Sequence, residues 1–196
     1  MKIELSLSLL LEMLEEYSVI NKEQKELISA RKDYYQSMFE TTFKRAPFVT
    51  ELLVFTCEKE SIKLSEEQLL RLIAARAGCE YVVIDPLKID NQLTVKTISA
   101  AYGKINRVIP LYKTGDDIVL AMADPFRMDI IDQLSTSTSS GIIPVVASAK
   151  DIESILADLF GFKKSIKAAA DDLTREGFNN LENLTDLGKA KNMDDK

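Results

Sequence analysis

The residues of this chain best equipped for chemistry are its acids and thiols. Asp116-Asp117 and Asp171-Asp172 are adjacent carboxylate pairs, and Asp124, Asp129 and Asp132 fall close enough in sequence to make a third group. Paired carboxylates do acid–base work when an apolar wall pushes one pKa up. Neither pair has such a wall, because the first falls in a turn and the second in a polar tail. The group of three suits a cation in principle, but it falls on a helix start and an exposed helix face, where acids complement the helix dipole. Histidine is absent, which removes the Ser–His and Cys–His nucleophile pairs and the imidazole metal ligand. Cys57 and Cys79 are the only cysteines, and no secretory leader is read at the start, so both are expected to be reduced and partly buried. No GxxxxGK[ST] phosphate loop occurs: Gly103-Lys104 and Gly161-Phe162-Lys163 lack the earlier glycine and the magnesium-binding hydroxyl. The expectation is a non-enzyme with no cofactor and no metal.

Composition narrows the partners. A net charge of −6 and a pI near 4.9 argue against a general nucleic-acid binder, which would carry a basic face. With 46% hydrophobic and 29% charged residues the chain reads as globular. No apolar run approaches the roughly 20 residues that cross a bilayer. The expected location is the cytoplasm, with peripheral docking at a membrane allowed.

The elements that position these residues are organised around Arg107 to Phe126. Val108–Tyr112 and Asp117–Met122 read as two apolar strands joined at Lys113-Thr114-Gly115-Asp116, with Gly115 supplying a positive φ. Asp124-Pro125 then reads as N-cap and first turn of a helix running to about Ser135, and Ser135 to Gly141 as a polar loop. Ahead of this lie four helical segments: residues 5–17; a helix capped by Asn21 and Gln24 and running to about Arg45, with Tyr34, Tyr35, Met38 and Phe39 inward; Pro47 to Lys59; and a helix boxed by Ser65 and Gln68 that ends at Gly78. NKEQ…ISAR echoes SEEQ…IAAR, a weak internal repeat with a one-residue slip. Tyr81–Ile84 reads as a strand, Leu93–Tyr102 as a helix stopped by Gly103, and Ile142–Ala147 as a strand that Pro144 places at an edge. The fold class is α+β: a four-helix subdomain over 1–79, a split-βαβ subdomain (β-α-β-β-α-β-α) over 80–163, as in ferredoxin-like sheets, and a flexible tail over 164–196.

Ile109-Pro110-Leu111, Leu120 to Pro125, Ile130 to Leu134, Pro144 to Ser148, Asp151-Ile152, Ile155 and Leu159 to Gly161 together resemble the amino-terminal domain of the type II secretion and type IV pilus assembly ATPases. These residues define a fold and none is reactive. The resemblance implies a domain that tethers a motor to the cytoplasmic part of an inner-membrane secretion or pilus protein. It also implies a carboxy-terminal ATPase module that this chain lacks.

Some members of that family bind cyclic di-GMP through paired motifs of the form RLGxxLVxxGLI–xxxLxxxLxxQ, and this is the alternative function and ligand. Aligned on Ser18-Val19-Ile20-Asn21, the first copy has Leu9-Leu10-Leu11 for RLG, Ser18 for the later glycine, and Arg31 or a neighbour for the closing Gln. The second copy has Ala46-Pro47-Phe48 or neighbours in place of RLG. Leucine neither pairs with guanine and phosphate as Arg does nor lets a ligand reach backbone as Gly does.

A docking domain needs a surface. Helix one carries more leucines than one buried stripe uses, so Leu5 and Leu9 beside Glu12, Glu15 and Glu16 read either as an apolar strip with an acidic margin or as the completion of the helical core. Leu5, Leu9, Glu12 and Glu16 are the candidate partner-binding residues.

Overall fold

A computed structural model of the chain describes residues 5–161. The chain divides after Ile155 into two compact units; the first holds the elements below, and of the second residues 156–161 are described, as helix. The tail expected over 164–196 lies outside the described residues.

Three side-chain caps set the helices of the first half. Ser6 accepts from the Leu9 amide at 3.2 Å and opens α1, Leu7–Glu16. Asn21 opens α2, Lys22–Ala30, with a reciprocal box: its Oδ1 accepts from the Gln24 amide at 2.8 Å while Gln24 Oε1 accepts from the Asn21 amide at 2.9 Å. Ser65 and Gln68 repeat the arrangement at 3.1 and 2.9 Å to open α5, Glu66–Ala77, which Gly78 closes at φ +70°. Between them lie α3, Lys32–Phe43, and α4, Val49–Lys59.

The single helix expected from Asn21 to Arg45 is therefore two, and the four helical segments are five helices. The ladder breaks at Arg31, which sits at φ −100°, ψ 6°. Neither Gly nor Pro marks the break. It is held instead by a tertiary contact: Glu60, at the end of α4, accepts from Arg31 Nη1 at 2.6 Å and from Tyr35 Oη at 2.5 Å.

In the second half the strands are β1, Glu80–Tyr81; β2, Val108–Thr114; β3, Asp117–Met122; and β4, Ile142–Val146. They make one mixed sheet in the order β1-β4-β3-β2, with β4 parallel to both neighbours and β2 antiparallel to β3. The hairpin turns on Gly115 and Asp116, and Gly115 has the positive φ the turn needs, +62°. Helix α8, Met128–Thr138, crosses from β3 to β4. The two parallel strands of that crossover are adjacent, whereas in the expected split arrangement a third strand would part them. Element order did not reveal this, because a strand as short as β1 gives no hint of its neighbour.

Pro144 therefore lies in an interior strand. Gly141 and Ala147 bond towards β3, while Val146 accepts from Val82 on the other side. The missing Pro144 amide thus faces the β1 side, and β1 begins only opposite Val145. The proline costs the sheet no ladder bond.

The connection from β1 to β2 holds two helices where one was expected, α6, Asn91–Thr97, and α7, Ala100–Asn106, with Gly103 buried inside α7. α6 covers the β2 edge: Asp90 N donates to Leu111 O at 2.7 Å, and the buried Thr94 hydroxyl reaches Pro110 O at 2.8 Å across a bulge in β2. Asp124 is no N-cap. Its Oδ1 accepts from Phe126 N at 3.0 Å and its Oδ2 from Leu5 N at 2.9 Å, which ties the β3–α8 turn to the start of α1. α8 continues through Ser135–Thr138, the expected loop, and there Thr136 and Thr138 return their hydroxyls to the carbonyls of Asp132 and Leu134, so the polar side chains are satisfied within the helix.

One buried cluster spans both halves. It contains Leu10, Leu11, Met13 and Leu14 of α1, Leu53 and Cys57 of α4, Leu69, Leu70 and Ile73 of α5, and Val146 of β4. Leu72, which helical spacing alone would place inward, is only half-buried; Leu70 takes the interior position. Leu70→Asp places an unpaired charge in that cluster and should abolish the cooperative thermal transition. Ser65→Ala should lower stability by about 1 kcal/mol in denaturant titration. Leu72→Asp should fall between the two.

Candidate functional site

The helical pairs α1–α2 and α4–α5 share one turn. Ser18 N donates to Glu15 O at 3.0 Å and Val19 N to Leu14 O at 2.8 Å; Ser61 N donates to Glu58 O at 3.2 Å and Ile62 N to Cys57 O at 2.8 Å. Both serines are left-handed, at φ +57°. The repeat is thus real in the backbone, and one extra residue enters before the second capping box. The correspondence sets Leu52-Leu53-Val54 opposite Leu9-Leu10-Leu11, and not Ala46-Pro47-Phe48. Leu10, Leu11, Leu52 and Leu53 are buried. The twin turns keep the glycine-like backbone, but the side chains where RLG would stand are packing residues.

The four candidate docking residues lie together on or just before α1, in unequal settings. Leu5 and Leu9 are half-buried and pack against the helical core. Glu12 and Glu16 are exposed; Ser8 Oγ donates to Glu12 at 3.4 Å, and Arg76 pairs with Glu16 at 3.4 Å. Lys25 bonds Glu15 at 2.6 Å, which raises the lysine pKa. The strip is acidic at its margin and partly drawn into the core at its apolar positions.

A second surface escaped the sequence reading. Tyr34 and Phe43 of α3 are 60% and 52% exposed; the Tyr34 ring reaches Phe55 of α4 through Tyr35, and Phe39, Phe43 and Phe55 pack with centroid separations of 4.4–6.2 Å. Lys59 Nζ stands 5.1 Å over the Phe55 ring. The break at Arg31 resets the phase of α3, so Tyr34, expected inward, faces out while Tyr35 is buried.

A small cavity of about 90 Å³ opens where α1, α4, α7 and the β3–α8 turn meet, with Leu5 among its lining residues. Arg107 stacks on Phe48 there, 4.3 Å from the ring centroid, and Arg127 makes a two-pronged contact with Asp129 at 2.8 Å. Of the aspartates read as a group, Asp124 is engaged in turn contacts and Asp129 in an ion pair. Among the described residues no three acids, cysteines or histidines converge as a metal site. Cys57 is buried and its thiol is pushed up to about 11 by desolvation; Cys79 is half-buried, and burial raises it too. Both are poor nucleophiles.

Residues 77–166 match the family model for the MshEN domain. This stretch, a little under half of the chain, is similar to the MshEN domain. The residues that resemble secretion and pilus assembly ATPases fall inside it. The fold is similar to that of the structure of MshE with cdg, at 19% identity and a TM-score of 0.51, over 76% of this chain and 97% of that one. Two crystal forms of the N-terminal domain of XpsE match at 17% and 16% identity with TM-scores of 0.40 and 0.48, over 80% and 79% of this chain and 97% and 96% of theirs. No curated protein matches the chain. Among the described residues no helix is long and apolar enough to cross a membrane.

The contact at the Arg31 break makes a pH prediction. The hydrogen bond from Tyr35, opposed by burial and helped by the bond and charge of Arg31, holds the Glu60 carboxyl below the usual carboxylate range. A depressed folded pKa adds stability above the unfolded value, about 4.3, and that stability is lost as pH falls through the folded value. Tyr35→Phe should therefore melt lower than the parent near neutral pH, and the gap should narrow on acidification below about pH 4.

Proposed function

We propose that this chain is a non-catalytic docking domain of a secretion or pilus assembly ATPase. It acts in the cytoplasm and binds the cytoplasmic part of an inner-membrane protein of that machine. The observation that carries the reading is the MshEN match over residues 77–166. The absence of a phosphate-loop sequence supports it, since hydrolysis would then fall to a separate ATPase module. The partner-facing surface is the α1 strip of Leu5, Leu9, Glu12 and Glu16, and the partner that fits it has an apolar groove with a basic rim.

The second reading, a receptor for cyclic di-GMP, is favoured by the left-handed turns at Ser18 and Ser61 and by the fold likeness to MshE, whose structure is with cdg. Leucines packed against the core at Leu9, Leu10 and Leu11, where the motif has Arg, Leu and Gly, weigh against it.

Capture of the purified cytoplasmic partner on the immobilised chain tests the reading. Leu9→Arg should abolish capture while leaving the melting temperature within a few degrees. Glu16→Lys, at an exposed position, should weaken capture several-fold with no change in melting. Loss of capture on Phe43→Ser, with the α1 variants unaffected, would move the surface to α3. Intact capture in every variant would remove the docking assignment from the helical half. Calorimetry with micromolar cyclic di-GMP should show no saturable heat; one-to-one submicromolar binding would move the function to nucleotide sensing.

A further inference from the structure

The cavity beside Leu5 has a feature that the docking reading does not use. Thr50 lines it and is 96% buried, since only 4% of its surface is accessible. No described residue bonds its hydroxyl, yet no fully buried side-chain polar atom among the described residues is left without a partner. The Thr50 hydroxyl is therefore not fully enclosed, and Thr50 lines the cavity. Thr50 is also the second residue of α4, whose N-cap, Phe48, has no oxygen to offer the first-turn amides. The first ladder bond of α4 is Leu52 N to Phe48 O, so the amides of Val49 and Thr50 have no helix carbonyl. A second helix, over residues 149–161, begins on the same wall at Ala149. Arg107 contributes a guanidinium that stacks on Phe48 and forms no ion pair with a described residue.

We propose that this cavity binds a phosphate group. The lining brings together donors from separate elements: the Thr50 hydroxyl and the first turn of α4, the start of the helix over 149–161, and the Arg107 guanidinium. That arrangement suits a tetrahedral oxyanion better than a planar carboxylate. About 90 Å³ admits the phosphate group while its substituent stays outside. One carboxylate, Asp124, lines the same space and limits the approach; its oxygens accept from the Leu5 and Phe126 amides. Arg127, also in the lining, is held by Asp129. The inference is independent of the docking reading and needs no partner protein.

Titration of the full chain with inorganic phosphate at constant ionic strength, followed through amide resonances, tests it. The Val49, Thr50 and Arg107 amides should shift saturably at submillimolar to millimolar phosphate. Thr50→Val, which keeps the side-chain shape, should weaken binding several-fold, and Arg107→Gln about tenfold or more. Arg107→Lys, which keeps the charge, should recover part of the loss if the variants melt like the parent. Glycerol phosphate should shift the same amides, and tighter binding than the free ion would mark a phosphomonoester as the ligand. Shifts that stay linear, that chloride reproduces, or that persist unchanged in both Thr50→Val and Arg107→Gln would overturn the site.

Discussion

The burial of α1 decides most of what this chain can be. Leu10, Leu11, Met13 and Leu14 share one cluster with α4, α5 and Val146 of the sheet, and full burial of a side chain of this size is worth about 1.5–3 kcal/mol. A helix of ten residues would be marginal alone in water. α1 persists because it is the element on which helical and sheet residues meet. The bond from Leu5 N to Asp124, across the chain, fixes where it starts.

The same burial limits function. A leucine cannot pair with a phosphate, and where a dinucleotide motif would place Arg and Gly the chain has the half-buried Leu9 and the buried Leu11, both packed against the core. The turns at Ser18 and Ser61 keep their left-handed backbone even so, and each leads into a capping box. What remains for recognition is surface: the acidic margin of α1, the rings of α3 and α4, and the cavity at Thr50.

Features fixed by a few neighbouring residues were legible in the sequence. The boxes at Asn21–Gln24 and Ser65–Gln68, the stop at Gly78 and the turn at Gly115 each rest on contacts within about four residues, and each is found where it was read. The features that were not legible depend on distant partners. Glu60 breaks the helix at Arg31 from far along the chain and thereby turns Tyr34 outward. The serines and threonines at the end of α8 look like a loop until their hydroxyls are seen returning to the carbonyls of their own helix. Strand order failed for a related reason, since β1 is two residues long and its pairing is decided by where α5 delivers it. The candidate residues on α1 were identifiable as a strip, but how far Leu5 and Leu9 sink depends on packing that no local pattern encodes. Thr50 had no sequence signal at all, because a threonine in a helix's first turn is ordinary until the cavity in front of it is known.

Helices and sheet should unfold as one body around α1, although the change of pattern near residue 79 reads as a subdomain boundary. Native-state hydrogen exchange across a denaturant series tests this most directly. The slowest amides of α1, α5 and β4 should converge on a single opening free energy equal to that of global unfolding. Exchange of the α1–α5 amides through a separate, lower-energy opening while the β3 and β4 amides stay protected would contradict the shared core.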